Sequence, residues 1–201
     1  MKNQDLNVIV RNYQVNVNNL IKVKHYFLIV CSLMILFLTG CGTTPNDYAD
    51  TQPEFDLKEY FTGELKGWGI IKNYKGKVTQ RFVVDMTGTW ENNKGVLYEL
   101  FTYSDGNTQE RTWYLTRLEN NISTGTASDV VGTATGSQNG FSFNWNYDLL
   151  FESEGKQIKV HLKDWLYQVN EDAVISQADI KKFGLKVGEV VIFILKEDTA
   201  T

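Results

Sequence analysis

Residues 97–115, LYELFTYSDGNTQERTWYL, contain the pattern that decides the fold. Two runs rich in aromatic and β-branched residues flank Ser104-Asp105-Gly106, and such runs around a short Gly-containing loop are typical of a β-hairpin. A three-residue loop places Gly106 in the left-handed position of a bulged turn. The sequence therefore predicts two antiparallel strands that are joined at residues 104–106.

The register of this hairpin depends on the length of its loop. A three-residue loop sets Glu99 opposite Arg111, whereas a two-residue turn on Asp105-Gly106 would set Glu99 opposite Thr112. We favour the first register because it pairs opposite charges and gathers large side chains on one face of the hairpin. That face carries Leu97, Glu99, Phe101, Tyr103, Arg111, Trp113 and Leu115.

The rest of the chain from Phe61 onward continues this pattern. It contains no proline, is rich in aromatic and β-branched residues, and is interrupted by short turns rich in Gly and Asn. Short turns make neighbouring strands antiparallel, and long consecutive strands favour a sheet that closes on itself. We predict an all-β fold, an antiparallel up-and-down barrel of about eight strands. The predicted strands cover residues 62–73, 78–91, 95–104, 107–118, 122–134, 140–151, 156–168 and 188–196.

One segment near the end is predicted to be helical. In SQADIKKFG, residues 176–184, Ser176 suits an N-cap, Asp179 follows three residues later, and Gly184 is a stop signal. The sequence thus predicts one short helix before the last strand of the barrel.

The N-terminal region has the features of an export signal. Lys22 and Lys24 precede an apolar run over residues 26–38, which is shorter than the ~20 residues that a membrane-spanning helix needs. The run ends in Leu38-Thr39-Gly40-Cys41, which resembles the bacterial lipobox. The resemblance implies that residues 1–40 are a cleaved signal peptide and that Cys41 carries lipid. The alternatives are an uncleaved anchor or a buried helix with an incidental cysteine.

Removal of this leader defines the working chain. The 201 residues less 40 leave 161, with 16 basic and 23 acidic residues and a formal charge of −7, which argues against nucleic-acid binding. We expect residues 41–59 to be a lipidated flexible tether and residues 60–198 to be the barrel domain. Gly42 after the cysteine favours a periplasm-facing outer-membrane location over the inner membrane, by analogy with Gram-negative lipoproteins.

Several short motifs identify a family resemblance. They are GWG at 67–69, RF at 81–82, MTGTW at 86–90, YSDG at 103–106, RTW at 111–113, DVVG at 129–132, DWLY at 164–167 and KFGLKVGEV at 182–190. Through these motifs the chain resembles domain-of-unknown-function family 3833, uncharacterised bacterial lipoproteins, over nearly all of 60–196. The resemblance implies a role in envelope lipid biology. The chain also resembles lipocalins more weakly, which implies that the predicted barrel is lipocalin/calycin-like in architecture alone.

The candidate ligand-binding residues are aromatic or charged side chains that alternation places together. They are Glu99, Phe101, Arg111, Trp113, Trp145, Tyr147, Trp165 and Tyr167. Glu99 and Arg111 are interpreted as a buried pair, with a surface pair as the alternative. The tryptophans either line a pocket or fill the barrel.

Other chemistry is less well supported by the sequence. His161 is expected to be exposed, and no second histidine remains after residue 40, so no metal site is predicted. The Gly-rich stretch 132–140 is interpreted as a turn. Asp129 and Asp164 are more typical of turn caps than of catalysis, so we predict no catalytic residue and no cofactor.

These observations favour a membrane-anchored lipoprotein whose barrel binds a hydrophobic or lipid-like ligand in the envelope. The predicted partners are the membrane, through the lipid on Cys41, and a small hydrophobic ligand. The alternatives are an accessory protein or enzyme of envelope lipid modification, and a purely structural envelope lipoprotein with a solid barrel.

Overall fold

The computed structural model describes residues 22–29, 42–153 and 156–197. The chain divides into two units, Met1–Thr43 and Thr44–Thr201. In the first unit, residues 22–29 are helical and exposed, while Cys41 and most of the predicted signal peptide lie outside the described residues. No helix among the described residues is both long enough and apolar enough to cross a membrane.

The second unit is a closed antiparallel barrel in which each strand pairs with its neighbours in sequence and the last pairs with the first. Its strands are β1 (Gly63–Asn73), β2 (Val78–Glu91), β3 (Lys94–Tyr103), β4 (Thr108–Arg117), β5 (Ile122–Thr126), β6 (Val130–Asn139), β7 (Ser142–Ser153), β8 (Lys156–Gln168), β9 (Ala173–Lys182) and β10 (Leu185–Lys196). The predicted fold class is confirmed. The barrel has ten strands where about eight were predicted.

The hairpin formed by β3 and β4 has the predicted register. Glu99 pairs with Arg111, and the amide of Tyr103 donates to the carbonyl of Asn107 over 2.9 Å. Gly106 has a φ of 88°, the left-handed conformation that the bulged turn requires. The three-residue loop is therefore correct, and the alternative with Thr112 opposite Glu99 is excluded.

One additional strand comes from the segment 122–134, which was predicted as a single strand. This segment instead contains β5, a turn at residues 127–129 and the first part of β6. The Gly-rich stretch 132–140 was interpreted as a turn, and this was wrong. Most of it belongs to β6, where Gly136 lies directly under the rings of Phe143 and Trp145 and leaves no room for a side chain.

The predicted helix over 176–184 was also wrong, since this segment contains most of β9 and the turn into β10. Val174, Ser176 and Ala178 alternate toward the barrel interior and are at most 3% exposed. This period of two is the pattern of a strand, and it overrides the capping signals that the sequence offered. The short α-helix in this unit is Leu57–Tyr60, which precedes β1.

Residues 45–61 close one end of the barrel, so the expected flexible tether needs correction there. Phe55 is fully buried and stacks on Phe143 at 5.6 Å between ring centroids. The hydroxyl of Tyr60 donates to the carbonyl of Ile194 over 2.9 Å, and Asp56 forms an ion pair with Arg117 at 3.0 Å. Apolar side chains of this segment thus complete the core and remain fixed to the strands.

We call the end of the barrel that residues 45–61 cover the closed end. The turns that follow β2, β4, β6 and β8 lie here, because the strands are antiparallel. The turns that follow β1, β3, β5, β7 and β9 lie at the opposite end, which we call the open end. There the residues that the structure describes include no segment folded across the barrel.

Candidate functional site

The barrel encloses a cavity of about 1110 Å³. Typical small-molecule sites occupy about 300–1,000 Å³, so this cavity is large for a drug-sized compound. It extends from Leu57 and Phe61 at the closed end to Asn73, Asp105 and Lys182 at the open end. Most of its wall is apolar and includes Ile71, Phe82, Val84, Met86, Phe101, Trp113, Trp145, Leu162, Ile180, Val190 and Ile192.

A cluster of three charged side chains interrupts this apolar wall. Arg111 lies between Glu99 and Asp129, and all three side chains are at most 20% exposed. The Arg111 guanidinium donates from Nε to both Asp129 oxygens at 3.1 and 3.0 Å, and from NH2 to Oδ2 at 2.6 Å. The Glu99 Oε2 atom lies 3.6 Å from NH1 of Arg111. Arg111 therefore binds Asp129 more closely than it binds Glu99.

Glu99 is the least satisfied group in the cavity wall. Its Oε2 atom is buried and accepts no hydrogen bond from the described residues. Burial raises the pKa of this carboxyl to about 7, although the nearby Arg111 acts in the opposite direction. Burial also disfavours the charge on Arg111, yet the carboxylates of Glu99 and Asp129 hold the Arg111 pKa above its ordinary value. Glu99 can thus exchange a proton near neutral pH.

Asp164, on β8, is a further carboxyl group in the same cavity. The Ser176 hydroxyl donates to Oδ1 of Asp164 over 2.8 Å. Burial raises the pKa of Asp164 to about 6 despite this hydrogen bond, and burial also raises the pKa of the Tyr147 phenol. The cavity therefore contains two carboxyl groups that are easily protonated, together with one ion pair that is already satisfied.

Six of the predicted site residues lie together in the cavity wall. They are Glu99, Phe101, Arg111, Trp113, Trp145 and Tyr147. Glu99 and Arg111 form the buried pair that was favoured over a surface pair. The guanidinium carbon of Arg111 lies 5.4 Å from the Phe101 ring centre and 5.9 Å from that of Trp113, so the aromatic rings shield the ion pair from water.

Trp165 and Tyr167 do not belong to this site. The two rings share a face, as predicted, but that face is the outside of the barrel. Tyr48 of the 3-10 turn Pro45–Tyr48 covers them, with ring centroids 5.7 Å from each. Asp164 and Leu166 occupy the inner face of β8 instead. The N-terminal segment accounts for the burial of Trp165, which alternation alone could not assign to one side.

Sequence reasoning missed Asp129 and Asp164 as members of the site. Asp129 lies in the turn after β5 and reaches Arg111 only because β5 and β4 are paired. Alternation along β8 places Asp164 and Trp165 on opposite faces of the strand. The aromatic rings were predicted to occupy the inner face, so Asp164 was not predicted to line the cavity. Ser176 was interpreted as a helix cap, which concealed its hydrogen bond to Asp164.

His161 is exposed on the outside of β8, as expected, with its Nδ1 atom 2.9 Å from Asp148. Within residues 22–29, 42–153 and 156–197, no group of three or more His, Cys, Asp and Glu side chains has the arrangement of a metal site. The side chains that line the cavity offer hydrophobic contact, hydrogen bonding and proton exchange at Glu99 and Asp164.

The closed barrel with its internal cavity has the architecture of a lipocalin-like, or calycin, fold. The chain belongs to the DUF3833 family, described as proteins of unknown function, whose family model matches residues 35–196. Among solved structures, the chain is similar to an S-type phycobiliprotein lyase, CPES, from Guillardia theta. The TM-score is 0.55 at 8% sequence identity, over 79% of this chain and 99% of that chain. At this identity the likeness concerns the fold. No curated protein matches the sequence significantly.

Proposed function

We propose that this protein is a membrane-anchored lipoprotein whose barrel binds a lipid-like molecule in the bacterial envelope. The observation that carries this proposal is the cavity itself, about 1110 Å³ in volume, with an apolar wall and a few polar groups in its interior. In a barrel that holds no ligand, Oε2 of Glu99 would stay buried without a hydrogen-bond partner, and such groups are uncommon in folded proteins. A bound polar group that reaches Glu99 would satisfy that atom.

The charges in the cavity indicate the chemistry of the ligand. Arg111 is held by Asp129 in a bidentate pair, so it offers no free positive charge to an anionic head group. Glu99 and Asp164 have pKa values near neutrality and can donate a hydrogen bond when protonated. An uncharged polar group such as an ester, a hydroxyl or an amide therefore suits the interior. Lys72 and Lys182, which line the mouth, suit a more polar head group.

The anchor rests on the sequence around Cys41. The span that matches the family includes Leu38-Thr39-Gly40-Cys41, so the lipobox-like residues belong to the region shared with the family. Lipid on Cys41 at the surface of the outer membrane would keep the barrel beside a supply of lipid ligands. Mass spectrometry of the N-terminal peptide tests this part separately, and an unmodified Met1 terminus would contradict it.

The ligand-binding proposal is tested by native mass spectrometry of the full chain after extraction from cell membranes in a mild detergent. We expect added masses in the range of membrane lipids. The matched variant is Ala178→Phe, because Ala178 is buried in the cavity wall opposite Asp164 and a ring there narrows the cavity. A smaller added mass in this variant supports the proposal, and an empty wild-type protein would refute it.

One observation favours a second candidate, an enzyme or accessory protein of lipid modification. Glu99 and Asp164 both line the cavity and both have raised pKa values, as general acids and bases often do. This candidate predicts that deletion of the gene alters membrane lipids and that Glu99→Gln or Asp164→Asn reproduces the change. If both variants restore the normal lipids to the deletion strain, catalysis by these carboxyls is excluded.

A further inference from the structure

A layer of polar side chains crosses the cavity near the middle of the barrel. Glu99 lies five residues after Lys94, the start of β3, and four residues before Tyr103, its end. Asp164 pairs with Ala178, which lies five residues after the start of β9 and four before its end. At about 3.3 Å per residue and a strand tilt of about 40°, four residues correspond to roughly 10 Å below the open end. We call the following side chains of the cavity wall the polar layer: Glu99, Arg111, Asp129, Asp164 and Ser176.

Apolar side chains bound the polar layer on both sides. On the inner face of β3, Leu97 lies on the closed side of Glu99 and Phe101 lies on its open side. On the inner face of β8, Leu166 and Leu162 bracket the layer in the same way. A site for a terminal head group would place its polar side chains at one end of an apolar pocket, whereas these lie in its interior. The ligand that fits therefore carries a polar group within its apolar body.

The gap between Glu99 and Arg111 offers both an acceptor and a donor to such a group. The Oε2 atom of Glu99 is buried and accepts no hydrogen bond from the described residues. The hydrogen bonds from Arg111 to Asp129 use Nε and NH2. The remaining nitrogen, NH1, lies 3.6 Å from Oε2, which is too long for a hydrogen bond. A ligand group at this gap therefore meets an acceptor oxygen and a donor nitrogen together.

The polar groups common in lipids differ in how well they match this pair of atoms. An ester accepts hydrogen bonds but donates none, and an ammonium group donates but cannot accept. The N–H and C=O of a trans amide point in opposite directions, so an amide reaches one of the two atoms. An anionic group would face the carboxyls of Glu99, Asp129 and Asp164. A hydroxyl matches both atoms, because its proton is donated to Oε2 while its oxygen accepts from NH1.

We propose that the cavity selects a hydroxylated lipid chain, whose mid-chain hydroxyl binds between Glu99 and Arg111. The part of the chain beyond the hydroxyl occupies the closed side of the cavity, beside Leu97 and Leu166. The rest of the chain extends past Phe101 to the mouth. This inference rests on the proposed function, because it names the class of lipid that the barrel binds. It adds a specific polar contact that the binding of lipids in general does not require.

The test is a competition between oleic acid and ricinoleic acid, which has the same chain with one added mid-chain hydroxyl. The full chain is stripped of copurified lipid by extended exchange into a mild detergent and is then equilibrated with an equimolar mixture of the two acids. Native mass spectrometry resolves the two adducts in one spectrum, because they differ by one oxygen atom. We expect ricinoleic acid to bind about tenfold more tightly, which is the effect of one well-placed hydrogen bond to a charged group. The positional control is α-hydroxyoleic acid, whose hydroxyl adjoins the carboxyl group and which should compete no better than oleic acid.

Glu99→Leu is the informative variant, because it removes the acceptor and leaves an apolar side chain of similar size. It should bind both acids and lose the preference for ricinoleic acid. Glu99→Gln keeps a carbonyl acceptor and should retain part of that preference. Glu110→Leu makes the same change at an exposed position of β4, opposite Leu100, and should leave the preference intact.

The outcomes separate this inference from lipid binding itself. Equal binding of the two acids by the wild type, or a preference that survives in Glu99→Leu, would refute the hydroxyl site while lipid binding stands. A preference for α-hydroxyoleic acid as strong as that for ricinoleic acid would place the hydroxyl at the mouth and also refute it. No adduct with either acid would overturn the hydroxyl site and the proposed function together.

Discussion

Glu99 and Arg111 face each other across β3 and β4 inside the barrel, 3.6 Å apart between Oε2 and NH1. Asp129 takes the opposite side of the same guanidinium at 2.6 Å. The single positive charge of Arg111 thus lies between two carboxyl groups, and it is closer to Asp129 than to Glu99. The unequal sharing leaves Glu99 with a pKa near neutrality and an oxygen without a hydrogen bond, which is the feature that a ligand can use.

The stability of the fold should fall as pH rises because of Glu99. Its pKa is about 7 in the native state against 4.5 as the ordinary value, so the native state holds this proton more tightly than the unfolded chain does. The contribution is most favourable below pH 4.5 and is lost progressively up to about pH 7. In Glu99→Gln this dependence disappears. Relative to wild type, the variant should gain about 2 kcal/mol between pH 5 and pH 8 in urea unfolding. A constant difference between the two proteins would contradict the assignment.

Replacement of the shared cation should be more damaging than replacement of either acid. Arg111→Met leaves Glu99 and Asp129 buried without a counter-charge, which should lower the free energy of unfolding by about 3–5 kcal/mol. The matched control is Arg111→Met combined with Asp129→Asn and Glu99→Gln, which removes the unpaired charges and should recover much of the loss. If the triple variant is no more stable than the single one, the three groups do not act as a charge cluster.

The closed end should depend on Phe55. This ring is fully buried against Phe143 and lies in the segment that precedes β1. Phe55→Ala should cost about 3–5 kcal/mol in thermal or urea unfolding, as for other large-to-small changes in a core. Glu54→Ala, at an exposed neighbouring position, is the control and should change stability little. Equal, small effects would show that residues 45–61 are a tether after all.

Gly69 should control the width of the cavity. A side chain at this position would meet the ring of Phe82, which lines the cavity wall. Gly69→Ala should therefore push that ring inward, at a cost of about 1–3 kcal/mol, and should reduce the amount of lipid that copurifies. Gly76→Ala is not a matched control because its φ is positive, so Thr87→Ala on the outer face of β2 serves instead. Undiminished lipid in Gly69→Ala would place the ligand elsewhere.

The sequence was most informative where local signals agreed. In the hairpin of β3 and β4, the turn residues allowed two registers, and the alternation of large side chains and the pairing of Glu99 with Arg111 both favoured the one observed. It was misleading in β9, where Ser176 and Asp179 fit both a helix cap and alternating strand positions. The pairing of this segment with β8 and β10 decides between helix and strand. That pairing cannot be predicted from the local sequence.

The candidate site was predictable in part for the same reason. Alternation grouped Trp145 with Tyr147 and Trp165 with Tyr167, but it cannot tell which face of a strand is inside when both faces are covered. The outer rings of β8 are covered by Tyr48, from a segment that was expected to be a flexible tether. Asp129 was beyond prediction as a partner of Arg111, because that contact depends on the unrecognised turn between β5 and β6.

The most direct test of the central claim is photocrosslinking with a lipid that carries a diazirine in its acyl chain. The lipid is incorporated into living cells, and the labelled residues are located by peptide sequencing of the purified full chain. We expect label on inward-facing residues such as Phe101, Trp113 and Trp145, with little on their outward-facing neighbours Thr102 and Tyr114. Label confined to outward-facing residues, or spread equally over both faces of the strands, would contradict a lipid-filled cavity.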